Sequence, residues 1–370
     1  MSSSQDDRLL GDIAATPRPT GSVAIASARS RCARELRELG FEVREHPFEF
    51  SSFPGRFATP LLGGAVAAIV GVAGHLGAEG SRFIPLVVVA LAGIALFEAG
   101  GWLAERGVLV APVLRARGVN LEATRRGETP PVWLCAHLDT KSQPIPTLIR
   151  TLGIVLVGIG YLMTAGLAIL SAVGAPQHPF FWACAALVTL VGAVPVVLSV
   201  VGQRSAGALD NASGVATVIS AARALGDESS TGILITDAEE LGLAGARAWA
   251  LQHMQHRGTT VLNCDGVDDD GRVVVMFTGA MPKELFGAVE RASETTGVHC
   301  RPMRMVPGLL TDSVAFARAG LSSVTFSRGS LGSLARVHSR RDDLTNLRGT
   351  GIAETARLMA ATARELGEMR

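Results

Sequence analysis

Four long apolar stretches divide this 370-residue chain and limit what it can become. Residues 57–78 hold no charge and one histidine, His75. Residues 83–104 hold a single charge, Glu98, and residues 151–174 and 178–202 hold none. A helix that crosses a bilayer needs about 20 apolar residues. Helices of globular proteins rarely run that far without a charged face. The reading is therefore four membrane-spanning helices, with 57–78 the weakest because it is rich in Gly and Ala.

The connections are short, at 79–82 and 175–178, so the segments pair into two helical hairpins, 57–104 and 151–202. The outer ends of a hairpin emerge on one side. The polar sequence at 1–56, 105–150 and 203–370 then shares one compartment and is expected to form a single split catalytic domain. Arg56, Arg106, Arg115, Arg117, Lys141, Arg150 and Arg204 flank the spans on that side, against Arg82 alone in the short loops. The bias predicts a multi-pass membrane protein with its polar bulk in the cytoplasm. The first residues lack the basic and apolar regions of a signal peptide, which agrees. His75 and Glu98 lie close to span ends, where polar side chains reach the interface.

Composition fits this division. Apolar residues make up 48% of the chain but aromatics only 5%, so the excess is the small and aliphatic residues that pack membrane helices. A formal net charge of +1 gives no bulk field for nucleic acid, and none is expected as a partner. Five scattered cysteines without paired spacing argue against a disulfide framework or a cysteine-based zinc site.

The polar sequence alternates strand and helix patterns. Residues 22–39 read as a helix stopped by Gly40, and 41–50 as strand. Short apolar strands are predicted at 132–135, 232–236, 259–262, 273–277 and 323–326. Helices are predicted at 211–225, 242–255, 282–296, 312–319 and 352–366. This is an α/β protein with a mixed, largely parallel central sheet flanked by helices.

Against that pattern falls an ordered series of acids and histidines: His137 and Asp139, Asp210, Glu239 and Glu240, Asp265, and His338. His137, the glutamate pair and Asp265 follow predicted strands, at the sheet edge where open α/β folds place their sites. Two histidines, two aspartates and a glutamate, with a second glutamate beside it, suit two divalent metals sharing one bridging carboxylate. Adjacent glutamates point in different directions, so one can bind metal while the other acts as general base. Asp139 can accept a hydrogen bond from His137 and fix its tautomer. About seventy residues, mostly the second hairpin, separate Asp139 from Asp210.

Five motifs now align in order: Ala136-His137-Leu138-Asp139-Thr140, Gly207 through Gly214, Asp237 through Gly242, Asn263-Cys264-Asp265, and Val337-His338-Ser339 with Asp342 or Asp343 following. Thr311 through Gly320 resembles the helix that precedes the last of them. In this set the chain resembles the M28 family of dizinc metallo-aminopeptidases. The resemblance covers everything outside the apolar segments and implies a zinc-exopeptidase fold carrying four inserted helices. It implies one metal site completed by His137 and Asp265, another by Glu240 and His338, and Asp210 as the bridge. Glu239 would be the general base and Asp139 the partner of His137. The cofactors would be two zinc ions, or other divalent metals, and the reaction attack of a metal-bridging water on a peptide. The expected partners are a peptide substrate and the lipid bilayer; oligomeric state is not legible.

Two departures stand out. Some relatives carry a Tyr before the last histidine; here it is Val337, and the one tyrosine, Tyr161, lies in an apolar segment. Ordinary relatives also join the first two motifs by a short loop. Three alternatives stay open: a glutaminyl cyclase-like transferase with one zinc, a membrane scaffold with a vestigial hydrolase domain, and a carboxypeptidase of the same superfamily. About nine residues join Lys141 to the third span and about seven join Gly202 to Asp210. At ~3.3–3.6 Å per extended residue, the site is expected within roughly 25–30 Å of the bilayer.

Overall fold

The computed structural model describes residues 2–125, 129–227, 230–254, 258–306 and 309–368. It divides into two compact units. One comprises Met1–Phe50, Arg115–Ser142 and Gln203–Arg370, the other Ser51–Leu114 and Gln143–Gly202.

The first unit is built on an eight-stranded mixed sheet. Its strands are β1 (Glu42–Ser51), β2 (Arg115–Thr124), β3 (Val132–His137), β4 (Gly232–Thr236), β5 (Thr260–Val267), β6 (Arg272–Phe277), β7 (Cys300–Arg304) and β8 (Ser322–Gly329). Their order across the sheet is β1-β2-β4-β3-β5-β8-β6-β7. The central four, β4, β3, β5 and β8, run parallel. β2 joins β4 and β6 joins β8 antiparallel.

β3 shows why the centre holds. All six of its residues are buried, as expected for a strand covered on both faces. Its alternate side chains divide between two cores. Val132, Leu134 and Ala136 pack with the helices Ser213–Leu225 and Thr350–Glu368. Trp133 and Cys135 pack on the opposite face with Trp249, Val261 and Phe316. Gly232 on β4 makes room for Trp133: a Cβ there would stand 2.6 Å from its ring.

Local signals place the element ends. Ser22 caps the helix Val23–Glu38 by accepting from the Ile25 amide, and Gly40 follows it at a φ of 79°, a left-handed turn that suits glycine. The helix predicted at 242–255 is seen as Ala244–His253; Gln255 lies outside the described residues. Among the elements not expected are the helices Ser2–Ile13 and Leu331–Arg336 and the strands β2 and β7. β2 mixes Arg, Asn and Glu with apolar residues, and β7 contains Pro302, so neither carries a clean alternation.

The second unit contains four helices long and apolar enough to cross a membrane: Pro54–Ala78, Ile84–Val110, Thr147–Ala172 and Pro179–Val197. Small residues let them approach. A Cβ on Gly153 would stand 2.7 Å from the Gly192 carbonyl, and one on Gly77 would enter the Trp182 ring. Buried hydroxyls are satisfied within the unit: Thr164 donates to the Gly160 carbonyl and Thr189 to that of Ala185. Tyr161 donates to the Val89 carbonyl at 2.8 Å. Phe97, Leu162, Leu91 and Leu187 face outward and are exposed, and so are His75 and Glu98.

Candidate metal centre

Three adjacent parallel strands deliver the site. His137 ends β3, where it pairs with Thr236 at the end of β4. Glu239 and Glu240 follow β4 after Ala238, a residue with a φ of 58°. Asp265 sits on β5, where the pairing with β8 shifts register between Cys264 and Val267. His338, with a φ of 62°, comes from the turn after the helix Leu331–Arg336. Left-handed backbone at non-glycine residues is costly and gathers at functional sites.

The segment from Gly207 to Gly214 shows what each residue of its motif contributes. Gly207 has a φ of 59°, and a Cβ there would stand 2.2 Å from the Thr140 methyl. The Asn211 amide donates to the Cys264 carbonyl at 2.9 Å. Its oxygen accepts from the Gly214 and Gly266 amides at 3.0 and 3.1 Å. Ser213 accepts from the Val267 amide at 2.9 Å. Asn211 and Ser213 thus staple the segment that carries Asp210 to the strand that carries Asp265. Gly214 leaves room for the Asn211 side chain, which a Cβ would meet at 2.0 Å.

The seven sequence-predicted residues come together. Asp210 turns one oxygen to each histidine: Oδ1 lies 3.1 Å from His137 Nε2 and Oδ2 lies 2.9 Å from His338 Nε2. Asp265 Oδ1 is 3.6 Å from His137 Nε2, and Glu240 Oε1 is 3.3 Å from His338 Nε2. Two trios have ligand atoms within 4.8 Å of one another, His137–Glu239–Asp265 and Asp210–Glu240–His338. Glu239 therefore stands beside the His137–Asp265 pair.

Asp139 holds more than its histidine. His137 Nδ1 lies 3.1 Å from the Asp139 carbonyl and 3.6 Å from its carboxylate. The carboxylate accepts from the backbone amides of Glu239 and Glu240 at 3.0 and 3.1 Å, which sets the direction of both glutamates. Between Asp342 and Asp343 the structure decides: Asp342 is buried and accepts from the amides of Leu209 and Asp210 at 2.6 and 3.2 Å. Asp343 instead caps the short turn Leu344–Asn346.

Sequence reasoning missed two residues in this layer. Arg18 is buried and donates to the carbonyls of Leu138, Ile13, Ala206 and Gly207; nothing in its local pattern marks it. Lys141 forms an ion pair with Glu240. Its signal was present, because His137, Asp139 and Lys141 alternate and so share a side of an extended segment.

The charges are unevenly held. Burial, then the neighbouring charges of Glu240 and Asp265, push the Glu239 carboxyl well above the ordinary range. Burial opposes ionisation of Asp210 too, but hydrogen bonds from both histidines outweigh it and hold this group well below its usual value. Glu240 is brought down to about 2, as Lys141 and His338 overcome its burial. Burial, with Asp210 beside it, raises Asp342 to about 7.

This set fits divalent metal. Imidazole nitrogens and carboxylate oxygens are ligands of zinc, and here they converge in two largely buried, acid-rich trios. Glu240 Oε1 is buried without a well-directed hydrogen bond, an arrangement that is costly unless a cation completes it.

Residues 120–363, about two thirds of the chain, match peptidase family M28. The chain belongs to that family. Among solved structures it is similar to an aminopeptidase from Aneurinibacillus sp. strain AM-1, with a TM-score of 0.57 at 12% identity over 97% of this chain and 92% of that one. It is equally similar to BSAP, a zinc aminopeptidase from Bacillus subtilis, with a TM-score of 0.57 at 14% identity over 98% and 94%. A glutaminyl cyclase from Macrostomum lignano gives a TM-score of 0.54 at 14% identity over 99% and 90%. At these identities the likeness is one of fold. No curated protein sequence matches.

Proposed function

We propose that this M28 peptidase is a membrane-anchored aminopeptidase that uses two zinc ions to remove N-terminal residues from peptides. The observation that carries the reading is the placement of Asp210, whose two oxygens face the two histidines singly. A carboxylate so placed can serve two ions at once. His137 and Asp265 would complete one site, Glu240 and His338 the other.

Bound zinc would supply Lewis acidity, polarising the peptide carbonyl and lowering the pKa of a water. The rest falls to the chain. Glu239, beside the His137–Asp265 pair, would accept a proton from the attacking water and deliver it to the leaving amine. Asp139 keeps Glu239 and Glu240 aimed through their backbone amides. Asp342 does the same for Asp210. With Val337 where some relatives have Tyr, the oxyanion depends on the metals and on backbone or arginine donors.

The apolar helices support anchoring in a bilayer, and the distribution of Lys and Arg supports a cytoplasmic catalytic unit. The ion pair of Lys141 with Glu240 favours the second reading, a single-zinc transferase of the glutaminyl cyclase kind, because it sets a cation against one carboxylate of the second trio. Zinc-loaded protein and a Glu239→Gln variant, each given one peptide in free and N-acetylated form, test the assignment. We expect cleavage of the free peptide alone, reduced at least ~100-fold in the variant. Equal cleavage of the acetylated peptide would contradict an aminopeptidase.

A further inference from the structure

We propose that Lys141 is a tethered cation that competes with the second metal ion, so that the chain fills its two metal positions unequally and in a fixed order. This rests on the two-metal reading above and refines it. The two trios are not equivalent. The first, His137–Glu239–Asp265, combines two carboxylates with one imidazole. The second, Asp210–Glu240–His338, has the same composition, but the Lys141 ammonium pairs with Oε2 of Glu240. The other oxygen of that carboxylate is the one facing His338, at 3.3 Å. Glu240 is thus divided between an ammonium and a metal position.

Lys141 is held there by the chain. It stands two residues after Asp139 and four after His137, and its side chain is only 16% exposed. Thr140, between Asp139 and Lys141, is tied to Arg18 by two hydrogen bonds, at 2.8 and 3.1 Å. A fixed ammonium beside a divalent ion in a buried site repels it strongly, since little solvent screens the pair. The ion at Asp210–Glu240–His338 therefore binds only as the ammonium gives way. The ion held by His137 and Asp265, with Glu239 beside it as the base, enters first.

Metal binding itself tests this without reference to turnover. Metal-free full-length protein in detergent is titrated with zinc by calorimetry, and bound zinc is counted after gel filtration. Wild type is compared with Lys141→Met and Lys141→Arg, with Lys141→Gln in reserve should the Met variant not fold. We expect a second ion in wild type at least ~10-fold weaker than the first. Removing the ammonium should tighten the second ion by ~10-fold or more while the first changes by less than ~3-fold. Lys141→Arg, which keeps the charge, should keep the second ion weak. One ion in wild type and two in Lys141→Met would support the proposal equally. Two ions with the same second affinity in wild type and Lys141→Met would overturn it and leave the two-metal reading standing. One ion in all variants would overturn both.

Discussion

Arg18 concentrates the residue-scale argument. Its guanidinium is buried among backbone carbonyls from both segments that lead into the metal centre, Leu138 before the second apolar insertion and Ala206 and Gly207 after it. Burial lowers its pKa to about 10, with Cys32, Asp342, Asp139 and Asp210 pulling the other way, so it stays charged at neutral pH. Arg18→Met keeps bulk but leaves those carbonyls unpaired. Each buried acceptor left unsatisfied costs about 1–3 kcal/mol, so a loss of about 3–5 kcal/mol over the network is expected, which for a unit of this size lowers Tm by roughly 6–20 °C. Thermal unfolding of the metal-free variant reads this, and a fall under ~2 °C would show that the network is not holding the site. At this scale the series of acids and histidines was legible in the sequence because its members are chemically distinctive and His137, Glu239, Glu240 and Asp265 lie at or just past strand ends. Arg18 was not, because its role depends on partners 120 and 189 residues away.

Elements were legible where pattern and environment agree. β3 and β4 read as unbroken apolar runs because both their faces are covered, and Val23–Glu38 read as a helix because its charged and apolar residues keep helical period up to Gly40. β2 was hidden: its register with β4 is set by pairing, and Asn120 and Glu122 serve Gly245 and Trp249 rather than an alternating pattern. The four apolar helices were visible from length and charge alone, and their glycines then find a use in close backbone approach. Their outward side chains are large and apolar, such as Phe97 at 79% and Leu162 at 69% exposure. An exposed surface of this kind suits the bilayer anchoring proposed above. Alkaline carbonate extraction of membranes from expressing cells should leave the full chain in the pellet. Recovery in the supernatant would contradict anchoring.

For the whole molecule, the match over residues 120–363 places the chain in peptidase family M28, but the fold alone is shared by aminopeptidases and glutaminyl cyclases. What separates them is how the seven residues are loaded and used. Asp210 facing both histidines speaks for two ions and hydrolysis; Lys141 at Glu240 explains how one ion could dominate at low zinc. One peptide decides between the outcomes. Zinc-saturated protein is incubated with a short peptide that begins with glutamine, and the products are weighed by mass spectrometry. The account predicts free glutamine and a peptide shortened by one residue. A full-length peptide that has lost ammonia, with no shortened product, would contradict it.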